Sequence, residues 1–261
     1  MSYGYRGVGR AVTGAAFGVA VLLGGSSAPA AGQFLSGDWG PTWEGAAETS
    51  GDEVTTLLLG ASLSPSGTGL KPIVGLQGMY FMLNDNNGWS VTPSAGVIHR
   101  ATTGSIQARV GYAFTDETDF IPFGTPDAGD DPGVSLSAQA DYWDGGAYGL
   151  QGIASYNLGS EYLWTRARGT LRVLDLRRGG NIHVGPEFVY QGEMGDVGPG
   201  DEGHYTGTQL GGIVLWNSGN MLQAGFGAGV KNNSIEDAAG DEIVNEDDQS
   251  TWYVKFEFVL Y

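Results

Sequence analysis

The stretch STWYVKFEFVLY, residues 250–261, alternates with a period of two. In an extended strand Trp252, Val254, Phe256, Phe258 and Leu260 share one side, and Tyr253, Lys255, Glu257, Val259 and Tyr261 share the other. The first side is continuously large and apolar. The second mixes aromatics with one charge of each sign. An interior strand of a soluble sheet could carry such a row. A transmembrane barrel must carry it, because every lipid-facing position is apolar while the opposite face looks into the lumen.

The same alternation recurs upstream. In TTGSIQARVGYAFT, Ile106, Ala108, Val110, Tyr112 and Phe114 oppose Ser105, Gln107, Arg109 and Gly111. In VSLSAQADY, Val134, Leu136, Ala138, Ala140 and Tyr142 oppose Ser135, Ser137, Gln139 and Asp141. In NMLQAGFGAGVK, Leu222, Ala224, Phe226, Ala228 and Val230 oppose Gln223, Lys231 and three glycines. With weaker cases, twelve strands are predicted, at 41–48, 53–62, 71–83, 89–99, 102–115, 133–143, 146–157, 160–173, 181–191, 203–216, 220–231 and 250–261. The first, PTWEGAAE, has the weakest pattern. Most reach the length of about ten that a tilted strand needs to cross a bilayer, where soluble strands run about five or six. The expected fold is all-β, a closed antiparallel up-and-down transmembrane β-barrel.

The connections agree with this. The three longest, Asp116–Pro132, Gly192–Glu202 and Asn232–Gln249, follow the fifth, ninth and eleventh strands. DGG at 144–146 and NSG at 217–219 read as tight turns after even strands. Outer-membrane barrels place short turns in the periplasm and long loops outside. Tyr142, Trp143, Tyr148, Tyr156, Tyr162, Tyr190, Tyr205, Trp216 and Trp252 near strand ends read as interfacial girdles. Tyr261 falls one position out of step with the apolar row of the last strand, whereas a terminal assembly aromatic is expected within it.

At the other end, Arg6 and Arg10 precede the apolar stretch Ala11–Gly25, and Ala28-Pro29-Ala30 supplies an A-x-A site. These predict a signal peptide over 1–30, leaving about 231 residues, 31–261, as one exported outer-membrane barrel domain. After it no run of eighteen apolar residues occurs, so no transmembrane helix is expected. The chain has no cysteine and therefore no disulfide, so a large core or a closed hydrogen-bonded sheet must hold it. Its 46 glycines disfavour helix and suit sheets that bend or pack closely.

The formal net charge of −17 excludes nucleic acid as a partner, because phosphates could not be neutralised. Outer-membrane lipid and lipopolysaccharide are the expected surroundings. Acidic residues crowd the long connections: Asp116, Glu117, Asp119, Asp127, Asp130 and Asp131, then Glu193, Asp196, Asp201 and Glu202, then the run Glu236–Asp248. They read first as solvated, self-repelling loops, and secondarily as a divalent-cation surface facing lipopolysaccharide phosphates. No EF-hand spacing and no cysteine–histidine cluster exists, so no metal and no cofactor is expected.

Residues 161–173, EYLWTRARGTLRV, carry the most informative charges. Trp164, Arg166, Arg168, Thr170 and Arg172 share one face, and Leu163, Thr165, Ala167, Gly169, Leu171 and Val173 the other. An arginine facing lipid near the midplane costs about 2–4 kcal/mol, so all three are expected in the lumen. His183 and Glu187 on the inward face of the following strand are the candidate partners. This polar cluster reads as a structural salt-bridge plug or as a path for an anionic or sugar substrate. Catalysis is not expected. His99, His183 and His204 are the only histidines, and no G-x-S-x-G elbow accompanies them. A lipid-modifying surface hydrolase and a passive channel are the alternative readings.

Three consecutive segments carry a family resemblance. EYLWTRARGTLRV, IHVGPEFVYQGEMGD and GHYTGTQLGGIVLW together resemble the BcsS family of cellulose biosynthesis proteins. The matching residues are Trp164, Arg166 and Arg168, then Gly185, Pro186 and Glu187, then Leu210, Gly211 and Gly212. The resemblance implies a non-catalytic outer-membrane barrel associated with making or exporting bacterial cellulose, with cellulose or its secretion machinery as partner. Arg166 and Glu187 lie on inward faces of adjacent strands, so an ion pair between them is expected, and Glu187→Ala should destabilise the barrel.

Overall fold

The computed structural model describes residues 38–51, 54–83, 86–118, 133–144, 146–176, 180–194, 204–218, 222–236 and 250–261. The signal-peptide reading and most of the acidic loops lie outside these residues. Twelve strands form one closed antiparallel barrel: β1 (Trp39–Ser50), β2 (Val54–Pro65), β3 (Gly69–Leu83), β4 (Asn86–Ala101), β5 (Gly104–Thr118), β6 (Gly133–Asp144), β7 (Tyr148–Asn157), β8 (Tyr162–Asp175), β9 (Asn181–Glu193), β10 (His204–Asn217), β11 (Leu222–Glu236) and β12 (Ser250–Leu260). Each strand pairs with its sequence neighbours, and β12 returns to β1 with Trp43 opposite Leu260 and Ser50 opposite Tyr253. Closure leaves no sheet edge, which is the condition for a β-protein to cross lipid.

The strands are longer than the alternation alone delimits. PTWEGAAE is the centre of a twelve-residue strand that closes the barrel. Asp116 and Glu117 extend β5, Glu193 ends β9 and Glu236 ends β11, so the first residues assigned to each acidic loop belong to strands. Inter-strand hydrogen bonding continues past the point where apolar alternation stops, because the backbone pairs regardless of side chain. Just before β7, Gly146 has φ +83°, a left-handed conformation that glycine adopts without steric cost.

The two faces separate as the alternation dictates. Ile106, Val110, Leu150, Leu171, Leu210, Phe226, Trp252 and Phe256 are among the large apolar side chains left exposed, all on the outer face. Of the residues read as girdle aromatics, Tyr142, Tyr148, Tyr156, Tyr190, Trp216 and Trp252 lie on this face, Trp143 and Tyr162 fall on the lumen face, and the Tyr205 side chain lies outside what is described. Trp143 shares its face with Asp141 and packs edge-on against His183, ring centroids 5.4 Å apart. A small apolar core lies inside the barrel, where Val189, Ile213, Leu215 and Tyr253 are each at most 3% exposed. A bulge between Arg172 and Leu174 shifts the β8–β9 register, so Leu174 faces outward opposite Ile182.

Candidate functional site

The lumen is bridged by charge. Arg166 and Arg168 project inward from β8, Glu187 from β9, and Lys255 and Glu257 from β12. One Glu257 carboxylate serves both arginines: Arg166 Nη1 donates to Oε2 at 2.9 Å, and Arg168 Nη1 donates to Oε1. Lys255 Nζ donates to Glu187 Oε1, and Arg168 Nη1 lies 4.0 Å from Glu187 Oε2. The Glu187 side chain is fully buried and that of Arg168 is 3% exposed. Three cations thus meet two carboxylates. A third, Asp141, joins through Gln151, which accepts from Arg166 Nη2 at 2.7 Å and donates to Asp141 at 2.5 Å. The chain continues through Gln139 and Gln107 to Arg109 on β5. Beside it Gln209 on β10 donates to Glu48 on β1 at 2.7 Å.

This arrangement corrects the expected pairing. Arg166 takes Glu257, not Glu187, and the close cation of Glu187 is Lys255. Adjacent inward residues on β8 and β9 do meet in register, with Arg168 directly opposite Glu187. Arg166 lies opposite Val189 and reaches along the lumen instead. Glu187→Ala therefore takes from Lys255 its nearest carboxylate and leaves it only Glu257 Oε2 at 3.9 Å, and should cost about 3–5 kcal/mol as a broken buried pair. Urea unfolding in micelles checks this; a loss below about 0.5 kcal/mol would contradict it. Arg172 stands apart from the cluster: it is exposed near the end of β8, opposite His183 in register.

How residues of β12 reach across two strands to β9 and across three to β8 is answered by glycine. A Cβ built on Gly225 of β11 would sit 2.9 Å from Glu257 Cγ, and one on Gly227 would sit 2.9 Å from Lys255 Cε. One on Gly211 of β10 would meet the Tyr253 hydroxyl. The inward glycines of β10 and β11 are thus a trough in which the β12 side chains lie flat against the wall. Any side chain there would hold them off their partners.

The other side of the lumen differs. Gln107, Arg109, Ser135, Ser137, Gln139 and Ser155 share the inner face of β5–β7 and are half-buried. The cross-section is therefore packed along β8–β12 and water-accessible along β5–β7. His183 is wholly buried against Trp143, and no hydroxyl hydrogen-bonds its ring among the described residues, so it activates no nucleophile there. His99 lies exposed on the outer face.

No family model and no curated protein matches the chain. Solved structures do. A KdgM porin aligns over 84% of this chain and 98% of its own at 8% identity and TM-score 0.46. The β domain of the Bordetella autotransporter BrkA covers 85% and 97% at 10% identity and TM-score 0.40. OccD1 (OprD) covers 87% and 97% at 10% identity and TM-score 0.33. The closed sheet with its exposed apolar outer face is by itself the architecture of a membrane-spanning β-barrel. In such a barrel the exposed outer face meets lipid, and the charges of β8, β9 and β12 sit where the membrane does not reach them.

Proposed function

We propose that this outer-membrane barrel is a non-catalytic accessory of bacterial cellulose production, acting in secretion, anchoring or assembly of the polymer. The observation that carries the reading is the cross-lumen charge network. Its arginines and Glu187 are residues of the segments that resemble the cellulose-associated family, and they serve as structural ties. A barrel tied internally along β8–β12 acts through its surface and loops more readily than as a wide pore. Deletion of the gene in its native host should lower cellulase-digestible extracellular polymer, and the wild-type copy should restore it. Unchanged polymer would overturn this reading.

A second reading, a passive channel for small solutes, is favoured by the half-buried polar row on β5–β7. Twelve strands leave room for a narrow pore wherever side chains do not fill it. Stepwise conductance in planar bilayers distinguishes this reading from the first. A lipid A-modifying activity would need a hydroxyl held by a histidine ring, and the buried His183 holds none among the described residues.

A further inference from the structure

The outer face carries a hollow that the lumen does not explain. Register places Ile106, Ala140, Gly152, Ala167, Phe188 and Leu210 side by side across β5 to β10, all facing outward. The three small residues stand together on β6, β7 and β8, between the exposed side chains of Ile106 and Phe188. They form the floor of a depression of about 710 Å³, with Leu150 and Tyr142 on its rim. A methyl group built on Gly152 would meet nothing within 4 Å. The volume lies in the range of about 300–1,000 Å³ typical of clefts that hold small molecules.

The hollow has a polar end and an apolar end. On β4 the row continues to His99, two residues before that strand ends at the short turn to β5. His99 and Thr103 line the depression at this end, on the periplasmic side by the short-turn rule. At the other end Leu210 lies midway along β10, at the middle of the barrel wall. The lining thus passes from the His99 ring and the Thr103 hydroxyl at one interface to pure hydrocarbon at mid-membrane.

We infer that this groove seats one acyl chain of a phospholipid from the periplasmic leaflet, with its phosphate beside His99. An empty hollow against hydrocarbon forfeits dispersion contacts on both sides, and an acyl chain restores them. Lipopolysaccharide would have to enter from the opposite leaflet, where the groove presents no polar end. A second copy of the chain is the competing occupant, since Ile106, Phe188 and Leu210 stand as ridges around the floor, and the test below separates it. The inference rests on the membrane-spanning fold and is independent of the cellulose reading.

The test is native mass spectrometry of the full chain released from micelles doped with phosphatidylglycerol. One retained phospholipid per chain is expected. Gly152→Leu, which fills the hollow, should reduce retention about tenfold. Ala228→Leu, on the outer face of β11 away from the groove, should leave it unchanged, and His99→Ala should lower it. Equal retention by wild type and Gly152→Leu would overturn the inference. So would a dimer that Gly152→Leu dissociates, which would assign the groove to a second copy. A folded-versus-unfolded gel shift confirms each variant. If Gly152→Leu does not fold, Ala140→Leu, at an exposed position of the same floor, is read by the same criteria.

Discussion

Glu257→Ala should lower the unfolding free energy by about 3–5 kcal/mol, at the upper end of what one buried ion pair costs when broken. One carboxylate holds two arginines, so its removal leaves both without their strongest partner. Gln151 still accepts from Arg166, but among the described residues the carboxylate left to Arg168 is Glu187 at 4.0 Å. Urea unfolding in micelles, followed by tryptophan fluorescence, measures the loss. A variant within about 0.5 kcal/mol of wild type would show that water in the lumen replaces the carboxylate. Adding Arg168→Met to Glu257→Ala should recover part of the stability, since the pair is coupled and an apolar side chain needs no counter-charge.

The second large effect is expected from a position with no charge at all. Gly227→Val places a branched side chain where Lys255 Cε and Cγ stand at 2.9 and 3.1 Å from a built Cβ. Crowding alone costs about 1–3 kcal/mol. The greater consequence is that Lys255 lifts from the wall and leaves Glu187, so the total should exceed the crowding value. Gly212→Val on the outward face of β10 is the control. A Cβ there meets only a backbone oxygen at 3.7 Å, and its stability should match wild type within about 0.5 kcal/mol. The same unfolding measurement reads both; equal effects at the two glycines would remove the trough from the account.

Period-two alternation determines which way a side chain points, and β8, β9, β11 and β12 obey it at nearly every position. It was therefore legible that Arg166, Arg168, Lys255 and Glu257 face inward. Their partners were not. Arg166 and Glu257 are 91 residues apart and come together only because the sheet closes and its side chains lie obliquely across the lumen. Strand adjacency suggested Glu187 for Arg166, and adjacency governs backbone pairing, not the reach of long side chains. The glycines of β11 were legible as a small-residue face but not as a trough, since that role belongs to what lies over them. Trp143 was misplaced for a simpler reason: a residue at a strand end was assigned by its type, while its parity with Asp141 put it in the lumen.

The terminal strand does two jobs at once, and this bears on the order of assembly. β12 supplies the last backbone ladder, to β1, and also the anion that β8 lacks. A chain that has laid down its first eleven strands holds an open seam and two guanidinium groups with only Glu187 close by, and both defects end with the same eleven residues. Intermediates missing only the final hairpin partner are therefore penalised twice, and the insertion reaction is driven toward completion at its last step. Nicking the chain within β12 should accordingly release the whole structure rather than fray one edge.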